Sequence, residues 1–226
     1  MLELTADTRL DLTSSSLRHG LGLFETLRIT RGRPWRLELH LARLAAGCRF
    51  LGLDEPPPAM QVLDFLQLST SCPGLGQGVL RLVAADGRLR VWSEVLDGAT
   101  PAAASIGRSQ ETVRYSGNPL NRYKTTSYLE NRRLAEEAQR RGLFEVVAPN
   151  EQGLLTDGGR TSLFVVRGGR VDTPPVATGA LPGIAREVLL TAGLVREAPL
   201  TWPELVDADA LFLANALRGA IPVGEL

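Results

Sequence analysis

The chain is almost without lysine: of its 25 basic side chains one, Lys124, is lysine and the other 24 are arginine. Cysteine is as scarce, and the two present, Cys48 and Cys72, form no CxxC pair and stand near no histidine cluster, which argues against a disulfide framework or a zinc site. His19 and His40 are the only histidines, and with no nucleophile elbow beside them a Ser-His-Asp hydrolase is not expected. An excess of charge of one sign is also missing. The 25 basic groups balance 25 acidic ones, so the whole chain offers no electrostatic footprint for nucleic acid or an anionic membrane. No apolar run approaches the roughly 18 residues of a membrane span, and "MLELTADTRL" lacks the basic-then-apolar order of a secretory leader. The expectation is a cytoplasmic protein with a small neutral or acidic partner.

What is present is enough for a core: 226 residues, 44% hydrophobic, suit one large domain or two small lobes. "GLGLFETLRIT" followed by "RGRP" reads as a strand entering a hairpin. From Trp35 the period changes, and Leu37, Leu41, Leu44, Ala45 and Cys48 stand at helical spacing with Gly52 near the end. "GVLRLVAADGRLRVWSEVL" is two strands joined by an Asp-Gly turn. Residues 97–121 are rich in Gly, Pro, Ser and Ala around one strand-like stretch, and a lobe boundary belongs there. Further on come a helix, strands around "FEVVAPNEQGLLT" and "TSLFVVRGGRV", a helix "IAREVLLTAGL" and a strand near "ALFLAN". The pattern predicts an α+β fold of two lobes, 1–105 and 106–226, with mostly antiparallel strands and Lys124 in the second. A small molecule would by default bind between lobes.

Codon drift toward arginine explains the 24 arginines but not the one lysine, since a surface charge is served about as well by either residue. Only chemistry separates them: an ammonium can lose its proton and become a nucleophilic amine, whereas a guanidinium stays charged. Downstream, Ser127 and Glu130 stand in the S-x-x-E spacing of a capping box, and Leu129, Leu134, Ala135 and Ala138 give an apolar stripe ending before Gly142. They predict a helix over about 128–141. Lys124 then lies just upstream of the positive end of a helix dipole, which disfavours its charged form. Aldehyde capture is the use for such an amine; the plainer alternative is a lysine that neutralises Glu130 or solvates a loop.

The segment "NPLNRYKTTSYLENRRLAEEAQRRG" resembles the lysine segment of the class IV aminotransferases, the fold-type IV pyridoxal-phosphate enzymes. In that family's order the chain also carries "HGLGLFETLRI", "HLARL", "TDGGRTSLFVV", "TPPVATGALPGIAR" and "FLANALRGAIPV". The resemblance implies pyridoxal 5'-phosphate as cofactor, held by Lys124 through an imine. It further implies that Arg43 binds the phosphate, a task suited to a fork of N–H donors, together with the backbone amides of Ile184 and Ala185 at the start of a helix opened by Pro182 and Gly183. Asp157 matches the glutamate that faces the ring nitrogen and keeps the ring an electron sink. Asn215 is a further implied cofactor contact, and a homodimer the implied assembly.

The chain departs from the family pattern in places. Asp157 is one methylene shorter than glutamate, about 1.3 Å of reach; Ala185 replaces a threonine, Ser162 an asparagine and Leu21 an aspartate. Within the family, "NALRGAIPV" and "RYKTTSYLENRRLAEEA" look more like 4-amino-4-deoxychorismate lyase than like branched-chain aminotransferases. Arg28 and Arg218 are candidate partners for substrate carboxylates. The expected activity is therefore release of pyruvate and 4-aminobenzoate, with a branched-chain or D-amino-acid aminotransferase as the alternative and a non-catalytic protein that kept the fold as a third reading.

Overall fold

The computed structural model describes residues 1–68, 77–96 and 98–226; Cys72 lies outside them. The chain divides into two compact units, Met1–Gly98 with Tyr123–Ser127, and Ala99–Arg122 with Tyr128–Leu226. The change of unit thus comes at Gly98 rather than 105, because the strand Ala104–Arg108 pairs inside the second unit's sheet. Lys124 is counted with the first unit rather than the C-terminal lobe, because its backbone bonds to a strand there: Phe24 N–H donates to the Lys124 carbonyl at 2.9 Å.

Unit 1 runs β1 (Glu3–Thr5), α1 (Ser15–His19), β2 (Leu23–Thr30), β3 (Arg33–Pro34), α2 (Leu37–Leu51), α3 (Ala59–Leu68), β4 (Gln77–Ala85) and β5 (Arg88–Glu94). They form a five-stranded sheet in the order β1-β5-β4-β2-β3, antiparallel except for β1 on β5. Its tight turns use left-handed backbone where the sequence supplies glycine second, at Arg31-Gly32 and Asp86-Gly87, the conformation two-residue hairpins favour. Strict alternation along β2 buries Leu23, Leu27 and Ile29 on one face against α2, which contributes Leu37, Leu41, Leu44 and Cys48. The mid-helix Gly47 is required by this contact, since a Cβ there would lie 2.7 Å from the Leu23 side chain.

Unit 2 contains β6 (Ala104–Arg108), α4 (Leu129–Arg140), β7 (Glu145–Pro149), β8 (Leu155–Gly158), β9 (Ser162–Arg167), β10 (Arg170–Thr173), α5 (Ile184–Thr191), β11 (Arg196–Glu197), α6 (Trp202–Val206), β12 (Ala210–Asn215) and β13 (Gly219–Glu225). The eight strands make one mixed sheet in the order β11-β10-β9-β12-β13-β6-β7-β8. On one side Leu155, Leu163, Val165, Leu213 and Ile221 form a core. Elsewhere Phe164, stacked on Phe212 at 4.6 Å, packs with Ala185 and Leu189 of α5, and Leu134 and Ala138 of α4 pack on Val146 and Ala148. Among the described residues no helix is long and apolar enough to cross a membrane.

The helix predicted over 128–141 is α4, but it has no capping box: its N-cap is Tyr128, without a side-chain cap hydrogen bond. Glu130 pairs instead with Arg114 at 3.2 Å, and the Ser127 hydroxyl lies so close to Gly20 that a Cβ there would sit 2.0 Å from it. A partner distant in sequence claims the Glu130 side chain.

Candidate active site

In unit 1, residues 123–127 run beside the start of β2. Leu23 bridges Thr125 in antiparallel fashion, Thr126 N–H donates to the Gly22 carbonyl at 2.9 Å, and the Thr126 hydroxyl donates to the Gly20 carbonyl at 2.8 Å. Tyr123 stacks on Phe50 with ring centroids 4.6 Å apart. These contacts fix the backbone of the sole lysine. Its Nζ lies 4.2 Å from the centre of the Phe24 ring, so the amine is carried on the half-buried face of β2 that also bears Thr26 and Arg28.

The opposite face of β2 carries a charge in an apolar register. Glu25, between Leu23 and Leu27, is fully buried and reaches α2. Arg43 donates to it twice, Nε to Oε1 at 2.8 Å and Nη2 to Oε2 at 2.7 Å, and His40 Nδ1 lies 2.7 Å from Oε2. Burial alone would raise the Glu25 acid, but the Arg43 charge and the His40 and Arg43 hydrogen bonds outweigh it and hold the carboxyl at about 2. The implied phosphate ligand is thus oriented by a carboxylate behind it. His40 serves this cluster.

In unit 2, Asp157 stands on β8 with its carboxylate buried. Oδ2 accepts the Leu181 backbone N–H at 3.1 Å, and Oδ1 lies 3.1 Å from Arg114 Nε. That second contact is an ion pair without an aligned hydrogen bond. The loop after Asp157 is shaped by Glu145, itself fully buried, which accepts from Gly159 N–H at 3.1 Å, Arg160 N–H at 3.2 Å and the Thr161 hydroxyl at 3.0 Å. Burial pushes the Glu145 acid up, against the nearby Arg160 charge and these hydrogen bonds. Gly158 is needed because a Cβ would lie 2.5 Å from Glu145 carbons. Ser162 follows at the start of β9.

The segment from Leu181 leads into α5, whose N-cap is Gly183 in extended conformation. Ile184 is buried, and Ala185 packs its methyl into the Phe164 core, so these residues offer backbone rather than side chain to a ligand. Asn215 closes the β12–β13 turn: its Oδ1 accepts Leu217 N–H at 3.0 Å and Arg218 N–H at 2.8 Å, and its Nδ2 donates to the Arg160 carbonyl at 3.2 Å. Arg218 is half-buried at that turn. Unit 1 therefore brings together Lys124 with Phe24, and Arg43 with Glu25 and His40. Unit 2 brings Asp157 to the lead into α5 and Asn215 to Arg218.

This donor set fits pyridoxal phosphate: a side-chain amine for an aldehyde, an oriented guanidinium and first-turn helix amides for a phosphate, and a buried carboxylate for a ring nitrogen. Sequence reasoning misses Glu25 and Glu145. For Glu25 a signal exists, a carboxylate in the buried register of "LFETLRI". For Glu145 there is none, since its partners are loop amides of no particular residue type.

The family model for amino-transferase class IV matches residues 22–226 of the chain. D-alanine aminotransferase of Bacillus licheniformis is 25% identical over 239 residues, 98% of this chain and 84% of that protein. The branched-chain aminotransferase of Thermoproteus uzoniensis, solved with norvaline, has the same fold, with a TM-score of 0.86 over 97% of this chain and 82% of that one at 24% identity. A solved structure provisionally named 4-amino-4-deoxychorismate lyase is 30% identical, with a TM-score of 0.80 over 97% of this chain and 91% of that one. With a match that leaves out only the first 21 residues, the chain belongs to the class IV aminotransferases, a family of pyridoxal-phosphate-dependent enzymes.

Proposed function

We propose that the chain is the lyase that converts 4-amino-4-deoxychorismate to 4-aminobenzoate and pyruvate. The observation that carries this reading is the β12–β13 turn, whose Leu217 and Arg218 amides are already taken by the Asn215 side chain. Such a turn has spent its backbone donors on itself, so carboxylate recognition falls to side chains. Arg218 at this turn and Arg28 on β2 are the arginines assigned to it, and a substrate with two carboxylates suits two guanidiniums. The 30% identity to the provisionally named lyase, over nearly the whole of both chains, supports the same reading.

When bound, pyridoxal phosphate supplies an aldehyde for the substrate amine and a ring that stabilises negative charge at the carbon bearing it. Arg43, oriented by Glu25, and the Ile184 and Ala185 amides would hold its phosphate, and Asp157, tied to the Leu181 N–H, would keep its ring nitrogen protonated. Lys124 takes the proton from the amine-bearing carbon. That C–H bond breaks, the neighbouring C–O bond breaks with its electron pair leaving on oxygen, and the substrate ring becomes aromatic. The enolpyruvate released takes up a proton as pyruvate, so neither a keto acid nor water is consumed.

The second reading is an aminotransferase, favoured by the likeness to D-alanine aminotransferase along 98% of this chain. The purified enzyme given aminodeoxychorismate without any keto acid separates the two: the lyase releases aminobenzoate and pyruvate in equal amounts. No product there, together with amino transfer from an amino acid to 2-oxoglutarate, overturns the lyase reading. The working form is read as a homodimer, for which light scattering gives twice the chain mass.

A further inference from the structure

Two features of unit 2 have no part in the chemistry above. Ser162, at the start of β9, is only 8% exposed, yet its hydroxyl makes no hydrogen bond among the described residues. The oxygen itself is not sealed from solvent, so it stays open to a ligand. The second feature is where that hydroxyl points. A Cβ built on Gly183, the N-cap of α5, would lie 2.7 Å from Ser162 Oγ. The strand thus delivers an oxygen to the helix N-terminus from outside the helix, into space that only a glycine leaves open. It does not cap the helix, since no first-turn amide of α5 donates to it.

Ala185 is the second residue of α5, where the family pattern has threonine, and its methyl is packed into the Phe164 core. The helix therefore presents backbone amides to an anion without a hydroxyl of its own. We propose that Ser162 supplies that hydroxyl: it donates to the phosphate of the bound cofactor at the α5 N-terminus and replaces the donor lost at Ala185. A dianionic phosphate monoester is the ligand chemistry this fits, because a hydroxyl beside free helix amides adds a charge-assisted donor to a site already favouring negative charge. The inference rests on the reading that the cofactor phosphate sits at α5.

The test is equilibrium binding to the refolded or cofactor-stripped full chain, comparing pyridoxal phosphate with pyridoxal, which lacks the phosphate. The wild type binds the phosphorylated form much more tightly; equal affinities would sink the α5 reading itself. Ser162→Ala weakens pyridoxal phosphate by about tenfold to a hundredfold, the value of one hydrogen bond to a charged group, and leaves pyridoxal within about twofold. Adding Ala185→Thr to Ser162→Ala restores most of the loss. Should the alanine variant not fold, Ser162→Cys, close in volume and a weak donor, carries the same expectation. Unchanged affinity for pyridoxal phosphate, an equal loss for pyridoxal, or no recovery with Ala185→Thr would each overturn the role of Ser162 while leaving the α5 reading standing.

Discussion

Two buried glutamates, Glu25 in unit 1 and Glu145 in unit 2, orient what lies around them, Arg43 in the first case and the loop after Asp157 in the second, and they are held in opposite ways. Glu25 in unit 1 faces the Arg43 charge and a His40 hydrogen bond, and its acid is pulled down to about 2. Glu145 in unit 2 accepts from the amides of Gly159 and Arg160 and the Thr161 hydroxyl, with the Arg160 guanidinium farther off at 3.8 Å, and burial leaves its acid raised. An orienting carboxylate can therefore be made strongly acidic or weakly acidic by its neighbours alone. The choice follows the task. A permanently charged guanidinium in a buried place needs a charged partner to point it, whereas a loop needs only acceptors for its N–H groups.

The largest break in this comparison comes from Glu25→Ala, which leaves the Arg43 charge and His40 buried without their partner. It should cost about 3–5 kcal/mol of stability, read as a fall in the urea midpoint, and should weaken cofactor binding because Arg43 loses its orientation. Glu25→Gln keeps the shape and removes the charge, and its loss should be smaller than that of the alanine variant.

Next in size is the pH response, where the two glutamates have opposite signs. A folded value near 2, below the ordinary 4.5, means that Glu25 contributes stability fully above about pH 4.5 and loses it as pH falls toward 2. The swing is on the order of 3 kcal/mol. Glu145, raised above 4.5, binds its proton more tightly folded than unfolded, so its contribution declines as pH rises from 4.5 through the folded value. Subtracting the Glu25→Gln and Glu145→Gln curves from the wild type, as midpoints across pH 3 to 8, should give slopes of opposite sign. Parallel slopes would refute the contrast.

Smaller effects sharpen it further. Glu145→Ala leaves the loop amides unsatisfied and should cost about 1–3 kcal/mol. Glu145→Gln resembles the protonated acid and should fall within roughly 1 kcal/mol of wild type, measured by the same midpoints. A glutamine cost as large at 145 as at 25 would mean that Glu145 works as a charge.

Much of the machinery is legible in the residues themselves. Lys124 stands out as the one amine that arginine did not replace, and Asp157 and the α5 start at Gly183-Ile184 lie in ordered motifs. The Asp-Gly turn and the alternation of β2 follow from local chemistry, so β2, β4 and β5 are readable. What escapes depends on tertiary partners. Ser127 and Glu130 have capping-box spacing, yet Glu130 pairs with the buried Arg114 guanidinium and Ser127 packs against Gly20, so the local box does not form. The short α1 and α6 and the strand β13, interrupted by Pro222 and flanked by glycines, carry too little periodicity to be read alone. Asp157 has Arg114 beside it, a neighbour 43 positions upstream, which no spacing rule would find.

The central claim is that Lys124 is the residue joined to the cofactor, and the chain's composition makes the test unusually clean. Besides the α-amino group at Met1, Lys124 carries the only amine in the sequence. Purified protein loaded with pyridoxal phosphate, reduced with borohydride and digested, should show the pyridoxyl phosphate mass on the peptide containing Lys124 and lose it, with the visible absorbance, in Lys124→Arg. A label on the N-terminal peptide alone, or absorbance and activity kept by Lys124→Arg, would contradict that assignment.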